Sequence, residues 1–98
     1  MIDKKSKYLA VCGFGNNGGD AIAVARLLRE KGYMADVLLC DENEEKGSER
    51  FKYQLKQAKL FGVNIYHKVE LDKYDYIIDG IFGIGLTRNV EGKYKDII

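Results

Sequence analysis

The chain has 98 residues, a length that fits one small domain spanning residues 1–98. Its 16 basic and 15 acidic side chains give a net charge of +1, so no strong basic field favours nucleic acid as a partner. No apolar stretch reaches the roughly 18–20 residues of a membrane span, and the N-terminus lacks the apolar core of a secretory signal. We therefore expect a cytoplasmic protein that binds neither nucleic acid nor membranes.

The first third of the chain predicts a strand, a glycine-rich turn and a helix. Lys7–Cys12 is a nearly continuous apolar run, which is typical of a central strand in a parallel sheet. The turn covers residues 13–20, and apolar residues at helical spacing follow over residues 21–31. Asp20 is the predicted cap of this helix, and Gly32 is predicted to end it in a left-handed conformation.

The middle of the chain predicts a second strand and a second helix. Residues 35–40 form the strand, and an acidic loop over residues 41–47 follows it. Ser48 is the predicted cap of the helix, and Gly62 is its predicted end. The buried face of this helix is predicted from apolar residues at helical spacing, namely Phe51, Leu55 and Ala58.

The last third predicts two more strands, at residues 63–66 and 76–82. The second of these leads into another glycine-rich turn over residues 83–89, and the remainder resembles the opening turns of a helix. Strands that alternate with helices predict an α/β fold, a three-layer α/β/α Rossmann-like sandwich with a mainly parallel sheet. Both glycine-rich turns follow strands that flank the switch point, where such sheets bind ligands, so we expect them to form one crevice.

The first glycine-rich turn carries the pattern Gly13-x-Gly15-x-x-Gly18, which matches the dinucleotide fingerprint. Strand, glycine turn and helix together present backbone N–H groups and a helix N-terminus to an anion, usually a phosphate. Asp41 lies at about the distance along the chain where a ribose-binding acid would stand. The alternative is a tight turn that packs helix on strand and binds nothing.

Other polar residues of the two turns suggest further binding. Asn16 and Asn17 offer carbonyl oxygens to a cation or amide donors to a phosphate. Asp79, at the end of an apolar strand, faces a cation, or it accepts a hydrogen bond that ties the two turns together. Arg88 either pairs with a phosphate or is an exposed surface arginine.

Two cysteines each end an apolar run of the sequence. Cys12 and Cys40 lack the spacing of metal ligands, and no histidine cluster accompanies them. Since we expect a reducing cytosol, we predict two buried thiols rather than a disulfide.

The two glycine-rich segments resemble the signature segments of the YjeF N-terminal domain family, which contains the NAD(P)H-hydrate (NAD(P)HX) epimerases. The first segment is Gly-Phe-Gly-Asn-Asn-Gly-Gly-Asp at residues 13–20, and the second is Asp-Gly-Ile-Phe-Gly-Ile-Gly-Leu-Thr-Arg at residues 79–88. The likeness runs from about Lys7 to the end of the chain and includes the stretch from Glu91 to Tyr94.

This resemblance implies a Rossmann-like isomerase that interconverts the R and S epimers of hydrated NADH and NADPH, so that an ATP-dependent dehydratase, fused or separate, can restore the cofactor. It also implies a bound potassium ion with Asn17 and Asp79 as ligands. The implied substrate site has twelve residues in two groups: Asn16, Asn17, Gly18, Gly19 and Asp20, with Gly83, Ile84, Gly85, Leu86, Thr87, Arg88 and Asn89.

The sequence also departs from the family pattern. The family domain is about twice this long, so we expect a partial domain that lacks the N-terminal helices and a C-terminal segment. The aspartate taken as the family's acid–base residue is expected beyond Ile98, which leaves the catalytic residue unassigned. Phe14 stands where proline is common, and Ala21 stands where glycine is common.

Two rival functions remain open. One is an NAD-binding fragment of an oxidoreductase, in which Asp41 holds the ribose. The other is a non-catalytic Rossmann-like module that binds other proteins. An open sheet edge would favour pairing between copies, so we also expect a homo-oligomer.

Overall fold

The computed structural model describes residues 5–90 and 93–96. Within these residues, strands and α-helices follow one another in the order β1 (Lys7–Cys12), α1 (Asn16–Glu30), β2 (Met34–Leu39), α2 (Glu49–Phe61), β3 (Ile65–Tyr66), β4 (Tyr76–Gly80), β5 (Gly85–Val90) and β6 (Lys93–Asp96). Neither described helix has the length and apolar character that a membrane crossing needs.

The strands form one sheet in the order β3-β2-β1-β4-β5-β6. The pairs β3–β2, β2–β1 and β1–β4 are parallel, whereas β5 and β6 are added antiparallel. The predicted α/β class with a mainly parallel sheet is confirmed. The order also places β1 and β4 side by side, so the segments that follow these two strands leave the sheet at the same edge.

Both helices pack against one face of the sheet. Alternate residues of the central strands point to this face, and α1 lies on β1, β2 and β4 while α2 packs on α1. The buried cluster draws on all of these elements: Tyr8, Ala10, Cys12, Ala21, Ile22, Ala25, Ala35, Val37, Leu39, Phe51, Leu55, Ala58, Val63 and Ile78. The predicted buried face of the second helix is therefore confirmed.

The predicted start of the first helix is wrong. Helix α1 begins at Asn16, Gly15 occupies the cap position with extended backbone, and no side chain caps the helix. Asp20 is thus inside the helix, with Oδ1 3.5 Å from Nη1 of Arg50, and it is not a cap. Two glycines are poor helix formers, but Gly18 and Gly19 are buried by neighbouring segments, so packing overrides local propensity.

The other predicted helix ends are confirmed. Gly32 has φ +88° and Gly62 has φ +92°, the left-handed conformation that glycine adopts without strain. The Ser48 hydroxyl caps α2 by accepting a hydrogen bond from the Phe51 N–H at 3.2 Å. These local signals suffice because each satisfies backbone groups that a helix leaves free at its ends.

The prediction for residues 83–90 and 93–96 is wrong in two places, and the other residues of the expected helix lie outside the described residues. The glycine-rich turn ends at Gly85, where β5 begins, and residues 93–96 form β6 where a helix was expected. Strand β5 pairs with β4 and β6 pairs with β5. Backbone hydrogen bonds to neighbouring strands, which a local pattern does not reveal, decide the structure of this segment.

The cysteine prediction holds in part. Both thiols are free, and Cys12 is buried under the helices, where burial raises the pKa of its thiol. Cys40 is exposed because β2 ends at the residue before it. Its predicted burial is therefore wrong.

A polar cluster stabilises the end of the sheet at which the parallel strands begin. The Asp36 carboxylate of β2 accepts hydrogen bonds from Arg29 (2.8 Å), Asn64 (3.2 Å) and the Tyr74 hydroxyl (2.8 Å). Arg29 also donates to the Ala35 carbonyl at 2.7 Å. Burial and the bond to Asp36 raise the pKa of the Tyr74 hydroxyl, so it stays a donor. The cluster joins α1, β2 and the segments that flank β3 and β4.

Candidate functional site

Three segments meet where β1, β2 and β4 end. The Gly13 N–H donates to the Gly80 carbonyl at 3.1 Å, and the Cys40 N–H donates to the Cys12 carbonyl at 3.2 Å. The glycine motif after β1 therefore lies between the segment after β2 and the turn after β4. The bond from Gly13 joins the first glycine-rich turn to the end of the strand that leads into the second, and the predicted crevice between the two turns stays a prediction.

The glycines of the motif have different roles. A Cβ on Gly18 would overlap the Gly13 carbonyl oxygen, so only glycine lets the first turn of α1 lie this close to the loop. A Cβ on Gly80 would stand 2.6 Å from the Ala21 Cβ and 3.1 Å from the Asn17 carbonyl oxygen. By contrast, nothing lies within 4 Å of a Cβ on Gly15. Gly15 alone leaves open space above the backbone, which is where a ligand could approach.

The N-terminus of α1 faces this open space with free donors. The first helical hydrogen bond runs from the Gly19 N–H to the Gly15 carbonyl at 3.2 Å. The N–H groups of Asn16, Asn17 and Gly18 precede it, and among the described residues no hydrogen bond occupies them. Three free donors at the positive end of a helix dipole suit an anion such as a phosphate.

The motif is braced from the side by α2. The Phe14 ring packs on Phe51, with ring centroids 4.4 Å apart, and the Phe14 carbonyl accepts from the Ser48 N–H at 2.8 Å. Phe14 thus fixes the loop to the start of α2. One signal for this contact is visible in the sequence, namely an aromatic residue in a turn that otherwise consists of glycine and polar residues.

Asp79 is the last residue but one of β4 and is half-buried. Its Oδ1 accepts from the Ile81 N–H at 2.8 Å, which shapes the turn after the strand, and no hydrogen bond among the described residues uses its Oδ2. Asn17 is exposed, and its backbone packs against Gly80, the residue after Asp79. The two predicted metal ligands therefore lie on touching segments, each with a side-chain oxygen to offer.

Asn17 and Asp79 alone do not supply enough ligands to hold a metal ion. In residues 5–90 and 93–96, no group of three or more His, Cys, Asp and Glu side chains is placed to hold a metal ion. A divalent transition metal therefore finds no ligand set here. Amide, carbonyl and carboxylate oxygens are the donors that a hard cation accepts, so Asn17 and Asp79 suit a hard cation better than zinc.

The structure brings only some of the predicted substrate residues together. Residues 16–20 and the turn residues Gly83 and Ile84 lie at the site edge, with Gly85 opposite Asp79. Strand β5 then runs away from that edge, so Arg88 pairs with Tyr76, about 10 Å further along at ~3.3 Å per residue.

The far end of β5 has partners of its own. The Arg88 guanidinium lies 5.9 Å from the centre of the Tyr76 ring, and Asn89 donates to the Asp75 carbonyl at 2.7 Å. Leu86, Thr87, Arg88 and Asn89 are therefore not joined to the glycine motif here. Their part in substrate binding stays a prediction.

Asp41, the acid of the rival dinucleotide reading, follows β2 and is exposed. Its Oδ1 accepts from the Asn43 N–H at 3.0 Å, and Lys46 lies 3.5 Å from Oδ2. The hydrogen bond from the Asn43 N–H holds the pKa of Asp41 below its usual value against an opposing effect of desolvation, and the nearby Lys46 charge adds to the lowering. Asp41 thus shapes its own loop, and its carboxylate is ionised at neutral pH.

Comparison with known proteins adds a family to this geometry. The family described as YjeF-related protein N-terminus matches residues 1–98. The chain belongs to this family. The resemblance seen in the two glycine-rich segments is confirmed, and the YjeF N-terminal fold accounts for a parallel sheet with a glycine motif after its first strand.

Named relatives of the YjeF family extend well beyond this chain. An NAD(P)H-hydrate epimerase of Oenococcus oeni is 42% identical over 93 residues, which cover 94% of this chain and 44% of that protein. A bifunctional NAD(P)H-hydrate repair enzyme of Dictyoglomus turgidum is 38% identical over 94 residues, which cover 93% of this chain and 18% of that protein. The chain thus spans less than half the length of the curated relatives it matches.

A solved structure of the yeast protein ynu0, YNL200c, has the same arrangement. It aligns with a TM-score of 0.65 and 30% sequence identity, covering 82% of this chain and 35% of the yeast chain. The α/β architecture therefore agrees with that of an experimental structure.

Proposed function

We propose that this chain forms the phosphate- and cation-binding half of an NAD(P)H-hydrate epimerase site, which serves cytoplasmic repair of nicotinamide cofactors. The observation that carries the proposal is the open space over Gly15 beside the free N–H groups at the start of α1, with Asp79 near the end of the neighbouring strand β4. Membership of the YjeF family and the names of the relatives support the choice of substrate.

The proposed substrate is hydrated NADH or NADPH. Its pyrophosphate is a doubly charged anion, and the N–H groups of Asn16, Asn17 and Gly18 stabilise such a charge without a basic side chain. Gly15 admits the phosphate oxygens close to the backbone because no side chain fills that space. Gly83 and Ile84, in the turn after β4, remain proposed substrate contacts at the end of the neighbouring strand.

We further propose a potassium ion held by Asn17 and Asp79. The fit is supported by the free Oδ2 of Asp79, the exposed amide of Asn17 and the contact between their segments. A bound monovalent cation would supply positive charge beside the phosphates. Asp79 itself keeps the turn in place through its bond to the Ile81 N–H.

Catalysis needs a group that takes a proton from the substrate and returns it. Asp20 lies 3.5 Å from Arg50, and Asp79 is the proposed potassium ligand, so we assign neither carboxylate to this task. We propose that the acid–base residue comes from the part of the family domain that the longer relatives possess. The relative named a bifunctional repair enzyme supports a dehydratase partner or fused domain.

The test is an epimerase assay on this chain and on a chimera that joins it to the remaining part of the Oenococcus oeni relative. Epimerically enriched NADH hydrate is incubated with each protein in potassium buffer, and the exchange is followed by chromatography against an enzyme-free blank. We expect the chimera to accelerate the exchange and its Asp79→Ala variant to return it to the blank rate. Because the acid–base group is absent from it, we expect the 98-residue chain to bind the substrate without accelerating exchange.

The rival functions give different results in the same experiment. An oxidoreductase fragment predicts that unmodified NAD binds as well as its hydrate and that Asp41→Ala weakens this binding. A protein-binding module predicts no exchange by the chimera and no affinity for the hydrate. Either result would overturn the proposed function.

A further inference from the structure

A cavity lies near the amino ends of the parallel strands, at the end of the sheet away from the glycine motif. Its volume is about 330 Å³, within the usual size of a small-molecule site. It lies on the sheet face opposite the helices, because Lys7 and Asp36 alternate with residues of the buried cluster. It therefore shares no segment with the glycine motif.

The lining of this cavity is basic. Lys7, Lys68 and Lys73 contribute to it, and Asp36 is its one carboxylate. Among the described residues, Lys7 and Lys68 form no ion pair, and Lys73 lies 3.8 Å from Glu70 with both side chains more than half exposed. Such an exposed pair contributes little, so the Lys73 ammonium group is available to a ligand.

The single carboxylate does not cancel this charge. Asp36 pairs with the Arg29 guanidinium at 2.8 Å and accepts two further hydrogen bonds, from Asn64 and Tyr74. Its two oxygens thus already accept hydrogen bonds from protein groups, and its charge is balanced by Arg29. The three bonds also hold the cavity floor in one arrangement, so a ligand need not order it on binding.

Two aromatic side chains complete the lining. Tyr74 is buried, and its hydroxyl donates to Asp36, so its ring forms part of the floor. Tyr66 is 40% exposed and presents ring surface at the cavity. A flat ring on a ligand can stack on such a surface while its charged end meets the lysines.

We propose that this cavity binds a small phosphate ester that carries a flat ring, in the size range of a mononucleotide. The phosphate meets the ammonium groups of Lys7, Lys68 and Lys73, and the ring lies against Tyr66. The proposal does not rest on the epimerase function, because its residues and its edge of the sheet are different.

The test is a titration of the isotope-labelled 98-residue chain, followed by backbone amide NMR shifts, with inorganic phosphate, AMP and adenosine at low ionic strength. We expect shifts at residues 66–74 with a Kd on the order of 1–10 mM for phosphate, and about tenfold tighter binding of AMP. Raising the salt to about 0.15 M weakens both because exposed charges are screened. Adenosine, which lacks the phosphate, is expected to give no saturable shifts.

Charge-matched variants decide where the ligand binds. Lys68→Gln combined with Lys73→Gln should weaken AMP binding about tenfold, whereas Lys52→Gln combined with Lys56→Gln, on α2, should leave it unchanged. All four lysines are at least partly exposed, so neither pair is expected to unfold the chain. Shifts confined to residues 13–20, equal effects of the two pairs, or adenosine binding as well as AMP would each overturn the proposal.

Discussion

At the scale of single residues, the glycine motif separates packing from binding. Gly18 has no room for a side chain because the Gly13 carbonyl fills the space, whereas Gly15 has an open face. The fingerprint spacing alone does not tell these roles apart, since both positions are simply glycine in the sequence. The difference depends on how closely α1 approaches the loop, which only the folded structure shows.

The two glycines are expected to respond differently to alanine. Gly18→Ala forces the helix away from the loop, and we expect it to lower the free energy of unfolding by about 1–3 kcal/mol. Gly15→Ala, at a backbone conformation that any residue adopts, should change it by no more than about 1 kcal/mol while weakening ligand binding. Urea denaturation measures the first effect, and equal losses from the two variants would contradict these roles.

At the scale of secondary-structure elements, the ends of α2 follow local rules and the ends of α1 do not. Ser48 and Gly62 end α2 as the sequence predicts, because a hydroxyl cap and a left-handed glycine act within one turn. By sequence Asp20 is an equally good cap, but the helix begins earlier, at Asn16, because Gly18 packs against Gly13 and Gly19 packs against Arg50 of α2. Strand β5 was not predicted because it, too, depends on contacts with a distant segment, namely its hydrogen bonds with β4.

The cap of α2 has a measurable contribution. Ser48→Ala leaves the Phe51 N–H without its side-chain acceptor, and we expect it to lower the free energy of unfolding by about 1 kcal/mol. Ser48→Asp keeps an acceptor at that position and should restore most of the loss. Thermal denaturation compares the unchanged chain with the two variants. An aspartate variant as destabilised as the alanine variant would argue against a capping role.

At the scale of the whole molecule, the two ends of the sheet are built differently. The carboxyl end holds the glycine motif and its open space, while the amino end is tied by the Asp36 cluster. The sequence predicted that the two strands leading into the glycine-rich turns lie side by side, because strand order in such sheets follows a known pattern. It did not predict the Asp36 cluster, whose four members are spread from residue 29 to residue 74.

Removal of the Asp36 carboxylate tests the importance of this cluster. Asp36→Ala leaves the Arg29 guanidinium and the Tyr74 hydroxyl without their acceptor, so we expect a loss of about 2 kcal/mol in the free energy of unfolding. Asp72→Ala is the matched control, since Asp72 is exposed and should cost less than about 0.5 kcal/mol. A chemical denaturation midpoint shared by the two variants would show that the cluster contributes little.

The association state is a further whole-molecule prediction. Strand β6 lies at one edge of the sheet, and an edge strand can pair with another copy. We therefore expect a dimer or larger oligomer by light scattering over a wide concentration range. A monomer at every concentration would contradict this expectation. It would not bear on the proposed site at the glycine motif.

The most direct test of the central claim is a map of where NADPH hydrate binds to this chain. Backbone amide shifts are followed in potassium buffer as the hydrate is added, with unmodified NADP as the comparison. We predict saturable shifts at residues 13–20 and 79–84, larger for the hydrate than for NADP. Saturable shifts centred on residue 41, or none at the glycine motif, would contradict the assignment of this edge as half of an epimerase site.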